Sequence, residues 1–172
     1  MNRKTARGFT LVELLVVIAI IAILAAVVVL IINPLELTRR SRDAARLTDM
    51  ANLQQAINVA AQESTQSGTN VFCVGVTAPC TESTSPIGTN TRKSDGTGWV
   101  KTNLGAQKSV SVPTLPVDPL NSGVYNYTYY SDGNAWEMNG ALESEQQRDK
   151  MANDGGDNDD KYEVGSNLTL MN

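Results

Sequence analysis

One carboxylate, Glu13, stands close to the start of a long apolar segment. Residues 14–32 read LLVVIAIIAILAAVVVLII and contain no polar side chain. A carboxylate in a membrane is costly at the bilayer centre and less so near an edge. Glu13 therefore either lies at the membrane interface without a role or meets a positively charged partner within the membrane. The second interpretation makes it a candidate functional residue, because acids inside membranes are usually paired and functional.

The residues before Glu13 resemble an export signal but differ from an ordinary one. Residues 1–8 read MNRKTARG, so a basic segment precedes the apolar run. The run is long enough to cross a bilayer as a helix, and no small-residue cleavage site with a flexible break follows it. We therefore expect the span to be retained. Basic residues stand on both sides of it, so they do not fix its orientation.

Two cysteines, Cys73 and Cys80, are the only candidates for sulfur chemistry. An even count after an export-like N-terminus predicts one disulfide across a short loop. Two free thiols in a reducing compartment are the alternative.

The acidic C-terminal region contains the segment DGGDNDD at residues 154–160. Calcium binds several oxygen ligands at once, and loops rich in Asp, Asn and Gly supply them. We identify four candidate calcium ligands here: Asp154, Asp157, Asp159 and Asp160. A solvated acidic turn is the alternative, and the spacing is not that of an EF-hand.

Composition argues against catalysis and against nucleic-acid binding. The sequence has no histidine, which removes the commonest general base and the commonest zinc ligand. It also shows no glycine-rich phosphate loop, and we do not expect an enzyme. The net charge is −4, with a basic N-terminal end and an acidic distal end. Phosphate contacts need Lys and Arg, so the distal region gives no support for nucleic-acid binding.

A second helical segment follows the span. Apolar residues recur at spacings of three and four and predict one buried stripe, formed by Ala44, Leu47, Met50, Leu53, Ile57 and Ala60. We expect one helix from Phe9 to about Glu63, with Pro34 as a simple kink or as a functional weak point within it. Arginines 39, 40, 42 and 46 are expected off the stripe, solvated or against acidic lipid head groups or acidic protein surfaces.

Residues 71–172 predict short strands and turns. Extended segments are expected at 71–76 and 97–101, and a Tyr-rich hairpin at 123–142 turns at Asp132-Gly133. A last strand is expected at 162–170. The alternating aromatic residues are interpreted as sheet core rather than as a platform for ligands.

The N-terminal motif resembles a known family. Residues 8–26, GFTLVELLVVIAIIAILAA, look like the class III signal of type IV pilins and of type II secretion system pseudopilins. The distal half resembles the major pseudopilin more loosely, through its Pro-Asp-Pro connector, Tyr-rich hairpin and acidic tail. The resemblance implies that prepilin peptidase cuts after Gly8 and methylates Phe9, and that Glu13 is needed for assembly. Some pseudopilins also hold calcium in the region that corresponds to residues 154–160.

The resulting expectation is an α+β protein with a long N-terminal transmembrane and amphipathic helix packed on a small antiparallel sheet. We expect a prepilin leader at 1–8, a transmembrane or filament-core half of the helix at 9–33, an amphipathic half at 34–66 and a β-rich domain at 67–172. The expected function is a structural subunit of a pilus or pseudopilus filament. A membrane-anchored binding module that never polymerises is the alternative.

The resemblance also implies partners and a location. The expected partners are prepilin peptidase, other copies of the chain, minor pilins or pseudopilins, membrane lipids and an inner-membrane assembly platform. The precursor is expected in the inner membrane with its N-terminus in the cytoplasm, and the assembled filament outside it. No cofactor is expected to be required, with calcium as the one possible ion.

Overall fold

The computed structural model describes residues 8–64, 69–105, 107–109 and 111–171. The chain divides into two units, one ending at Thr38 and one beginning at Arg39. The leader predicted at 1–8 lies outside the described residues except for Gly8, and so does the boundary predicted between residues 66 and 67.

Two helices, rather than one, occupy the N-terminal third of the chain. Helix α1 spans Leu11–Ile32 and helix α2 spans Pro34–Glu63. The expectation of one helix is wrong at Asn33, which has φ 44° and ψ 78° and ends α1 in a left-handed cap. The backbone carbonyl of Asn33 then accepts the backbone N–H of Glu36. Pro34 fits the first position of α2, where its missing N–H has no helical partner to lose.

The second unit contains a four-stranded antiparallel sheet with the strand order β1-β2-β3-β4. The strands are β1 Cys80–Ser83, β2 Tyr127–Ser131, β3 Trp136–Gly140 and β4 Tyr162–Gly165. Strands β2 and β3 form the hairpin that Asp132-Gly133 predicted, because Ser131 pairs with Trp136. Two short helices, α3 at Thr69–Phe72 and α4 at Glu145–Arg148, complete the elements.

One face of the sheet packs against the buried side of α2 within this unit. Tyr127, Tyr129 and Met138 belong to the same buried cluster as Met50 and Ile57 of α2. Gly140 faces α2 closely, since a Cβ there would lie 3.2 Å from the sulfur of Met50. The fold is therefore α+β, with an apolar N-terminal helix and a small antiparallel sheet, as the sequence predicted.

Two predicted extended segments differ from the structure, the last strand predicted at 162–170 ends at Gly165, and one strand was not predicted. Residues 71–76 are not extended, because α3 and turns occupy this segment. Residues 97–101 form turns, although Trp99 is fully buried and donates its indole N–H to the carbonyl of Pro116. Strand β1 at Cys80–Ser83 was not predicted, because its four residues are too few and too polar to show a strand pattern.

Candidate functional site

The predicted cleavage site lies on exposed backbone just before α1. Gly8 and Phe9 precede the helix, and the side chain of Phe9 is 86 % exposed. A Cβ built on Gly8 would meet no atom within 4 Å. Among the described residues, the chain therefore leaves room for a larger side chain at position 8.

Glu13 is tied to the first turn of α1 by a capping box. Thr10 is the N-cap, and its hydroxyl oxygen accepts the backbone N–H of Glu13 at 3.2 Å. In return, Oε2 of Glu13 accepts both the backbone N–H and the hydroxyl of Thr10, each at 2.8 Å. This reciprocal arrangement satisfies helix N–H groups that have no intrahelical acceptor. It also places the Glu13 carboxylate beside the backbone of residues 9 and 10.

The helix that carries Glu13 is long and apolar enough to cross a membrane, with a candidate span at Leu11–Val29. The side chains of residues 11–29 are exposed in this unit. Near-uniform apolar residues provide burial in lipid or in a protein core, but they give little positional specificity along the helix axis. Glu13 is the one ionisable group within this span.

A comparison with family models gives one match, to the prokaryotic N-terminal methylation motif over residues 3–29. The match covers the basic segment, Gly8, Phe9, the capping box and most of α1. The chain carries a prepilin-type N-terminus. The match supports the resemblance to type IV pilins and pseudopilins and indicates a precursor of that type. No curated protein and no solved structure matches the chain.

The two cysteines form a disulfide in the second unit. Their Cα atoms are 5.9 Å apart, and both residues are buried beside the sheet. Cys80 begins β1, and Cys73 follows α3 directly. The bond thus ties the start of the edge strand to the segment that follows α2.

The four candidate calcium ligands do not converge. Asp154 is half-buried, and its two carboxylate oxygens accept the backbone N–H groups of Gly156 and Glu163. Asp157, Asp159 and Asp160 are exposed. Within the described ranges, no group of three or more His, Cys, Asp or Glu side chains is placed to hold a metal. As placed here, the four aspartates do not form a ready-made calcium site, because their carboxylates do not converge.

A pair of buried glutamates lies on the sheet face opposite α2. Glu137 of β3 and Glu163 of β4 are both nearly inaccessible to solvent. One oxygen of Glu137 accepts the N–H groups of Leu170 and Met171, and the other has no hydrogen-bond partner among the described residues. Burial raises the pKa of Glu163 to about 7, and the neighbouring Glu137 carboxylate adds to the rise.

Sequence analysis missed a buried charge cluster centred on Arg46. The Arg46 side chain is fully buried and donates to Asp43 at 2.8 Å and to both carboxylate oxygens of Asp118 at 2.6 and 2.9 Å. Glu143 accepts from both Arg46 and Arg42. Burial alone would lower the pKa of Arg46, but the hydrogen bonds that it donates to Asp118 and Glu143 raise the pKa above its ordinary value.

The expectation that Arg46 lies off the buried stripe is therefore wrong, and the sequence contained a signal for its burial. Asp43 and Arg46 continue the buried series of Met50, Leu53 and Ile57 at spacings of three and four. Ala44, which was placed on the stripe, is exposed instead. The predicted stripe was chosen from apolar residues alone. The buried face of the helix follows from its geometry, so it also includes charged residues such as Asp43 and Arg46.

Proposed function

We propose that this chain is a structural subunit of a helical pilus or pseudopilus filament, which prepilin peptidase cleaves after Gly8 and methylates at Phe9. The observation that carries the proposal is the methylation motif at residues 3–29, together with the position of Glu13 at the N-terminus of the apolar helix. In this account residues 1–8 are a cytoplasmic leader, and 9–33 and 34–66 are the core and amphipathic parts of the helical region. Residues 67–172 form the β-rich domain.

Cleavage supplies the partner that Glu13 requires. Before cleavage, the backbone nitrogen of Phe9 is an uncharged amide. After cleavage it becomes an α-amino group with a pKa of about 8, and methylation of an amine keeps its positive charge. Because the two oxygen contacts to Thr10 use only Oε2 of Glu13, Oε1 can accept from the amine of a neighbouring subunit. A paired carboxylate in an apolar core is far less costly than a lone one.

This pair would also set the axial position of each subunit. Residues 14–32 are nearly uniform along the helix, so sliding one helix past another changes their apolar contacts little. A single polar contact fixes register in coiled coils for the same reason. The proposed partners are prepilin peptidase, further copies of the chain, minor subunits, lipids before assembly and an inner-membrane platform. The precursor would reside in the inner membrane, and the filament would serve protein secretion or form a surface pilus.

The experiment is to express Glu13→Ala and Glu13→Gln and to shear or purify filaments. Both variants should insert into the membrane, because removing a carboxylate lowers the cost of the span. Both should fail to assemble, since each leaves the Phe9 amine as an unpaired charge in an apolar core. Thr48→Ala is a matched control, because this exposed side chain bonds only to the carbonyl of Ala44 in its own helix. Normal filaments from Glu13→Ala would contradict the proposal and favour a non-polymerising membrane-anchored module.

A further inference from the structure

Two Asn-x-Ser/Thr triplets occur in the second unit, and the structure places them very differently. The triplets are Asn126-Tyr127-Thr128 and Asn167-Leu168-Thr169. This pattern is the acceptor for N-linked glycosylation, in which a sugar is joined to the side-chain nitrogen of the asparagine. A short pattern alone carries little information, so the test of each triplet is whether its amide nitrogen can be reached.

Asn126 is engaged on every polar atom of its side chain. Its Nδ2 donates to the carbonyl of Gly123 at 3.0 Å. Its Oδ1 accepts from the hydroxyls of Ser83 and Thr128. The residue is half-buried, and Tyr127 beside it is a fully buried core residue at the start of β2. A transferase could use Nδ2 of Asn126 only after its hydrogen bond to Gly123 was broken and the amide turned away from Ser83 and Thr128.

Asn167 has the opposite environment. The residue is exposed, and its Oδ1 accepts the backbone N–H of Thr169 at 3.3 Å and the hydroxyl of Thr169 at 3.0 Å. Among the described residues, Nδ2 of Asn167 has no acceptor. The amide oxygen is thus engaged within the triplet, while the amide nitrogen of this exposed side chain makes no hydrogen bond to the described residues.

The segment around Asn167 is held at both ends, which keeps the triplet in one conformation. Before it, the backbone N–H of Ser166 donates to the carbonyl of Trp136 at 2.9 Å. After it, the N–H groups of Leu170 and Met171 donate to Glu137. Leu168 is half-buried and lines a groove with Tyr162 and Val164. Since only the central residue turns inward, Asn167 and Thr169 are presented on the outside.

We infer that Asn167 is an acceptor site for N-linked glycosylation, and that the fold selects it over Asn126. The donor class is a lipid-linked sugar diphosphate. Nδ2 forms a bond to the anomeric carbon, the bond from that carbon to the diphosphate oxygen breaks, and the lipid diphosphate leaves with the electron pair. The proton from Nδ2 passes to a base of the transferase. The inference uses the proposed function for one point only, namely that residues after the span are exported.

The test treats the purified full chain in detergent with membranes that contain an oligosaccharyltransferase and a lipid-linked oligosaccharide. Trypsin cleavage after Lys108, Arg148 and Lys161 places Asn126 and Asn167 on different peptides. We expect the sugar mass on the peptide that begins at Tyr162, in at least about tenfold excess over the Asn126 peptide, since opening Asn126 breaks several hydrogen bonds. Asn167→Gln and Thr169→Ala should remove this signal, and Thr169→Ser should keep it because it keeps the hydroxyl.

A second reaction uses the same chain after reduction and unfolding. Both peptides should then gain sugar, because the contacts that protect Asn126 are lost. Equal labelling of the two asparagines in the folded chain, or no label on Asn167 in either state, would overturn the inference. The reaction does not need cleavage at Gly8 or filament formation, so its failure is distinct from a failure of the proposed function.

Discussion

At the scale of single residues, the structure changes the account of Glu13. Its carboxylate is not unpartnered before assembly, because the Thr10 capping box already gives it two hydrogen bonds. In the proposed filament, the apolar surroundings would make those bonds insufficient for a full negative charge. Glu13 would then still gain from a cation delivered by a neighbouring subunit.

The raised pKa of Glu163 predicts that the stability of the second unit depends on pH. In the unfolded chain a glutamate has a pKa near 4.5, whereas burial raises that of Glu163 to about 7 in the folded state. The folded state therefore binds more protons between these two values, so the free energy of unfolding falls as the pH rises through this window, by about 2–3 kcal/mol. Urea unfolding of the fragment Arg39–Asn172 in EDTA, at several pH values between about 5 and 8, measures it.

The matched variant is Glu163→Gln, which cannot lose a proton. It should flatten the stability profile across this window. Glu143 titrates outside the window, since its hydrogen bond from Arg42 lowers its pKa. A wild-type profile that is flat or rises over the same range would contradict the raised pKa.

At the scale of elements, the Arg46 cluster joins parts of the second unit that are distant in sequence. Arg46 and Asp43 belong to α2, Asp118 lies in the Pro-rich connector, and Glu143 follows β3. Asp43 also accepts the backbone N–H groups of Glu143 and Ser144. The cluster thus fixes the connector and the end of the hairpin to one face of the helix.

Removing Arg46 should destabilise this unit strongly. Arg46→Met leaves three acidic side chains buried without their shared cation, and breaking a buried pair in this way costs about 3–5 kcal/mol. Arg42→Met is the control, because the Arg42 side chain is 24 % exposed and contacts only Glu143 in the cluster. Its expected loss is about 1 kcal/mol or less. Denaturant unfolding of both variants checks the difference, and equal losses would show that burial of Arg46 is not decisive.

The calcium hypothesis concerns residues 154–160, in the loop between α4 and β4. Binding of an ion to the folded state alone raises Tm in proportion to the logarithm of its concentration above Kd. The sequence-based hypothesis thus predicts a higher Tm of the Arg39–Asn172 fragment in calcium than in EDTA, and Asp154→Asn should abolish the difference. Because the four carboxylates do not converge in the structure, calcium binding requires a rearrangement of this loop first. Equal Tm values in calcium and EDTA would reject the hypothesis.

The sequence predicted the elements that have a strong period and missed those held by polar contacts. The apolar span, the stripe at Met50, Leu53, Ile57 and Ala60 and the hairpin at Asp132-Gly133 all follow from spacing and turn residues. The left-handed Asn33, strand β1 and the Arg46 cluster depend on backbone conformation and on partners more than 40 residues away. Local patterns contain no information about such partners.

At the scale of the whole molecule, we propose that the two units have different functions. The first unit contains the proposed cleavage site, the capping box and the apolar helix, which in this proposal would provide processing, membrane anchorage and assembly. The second unit is stabilised by a disulfide, by the buried charge cluster around Arg46 and by the packing of the sheet on α2. A disulfide suits the exported domain of the proposed function. The methylation motif covers only the first unit, so the second unit is where this chain would acquire its own specificity.

The most direct test of the central claim is the mass of the N-terminal peptide of the chain isolated from membranes or filaments. We predict that this peptide begins at Phe9 and carries one additional methyl group on its amine. Gly8→Val should yield the unprocessed chain, because the peptidase, rather than the fold, requires the small residue at position 8. A wild-type chain that keeps residues 1–8 in assembled material would contradict the account.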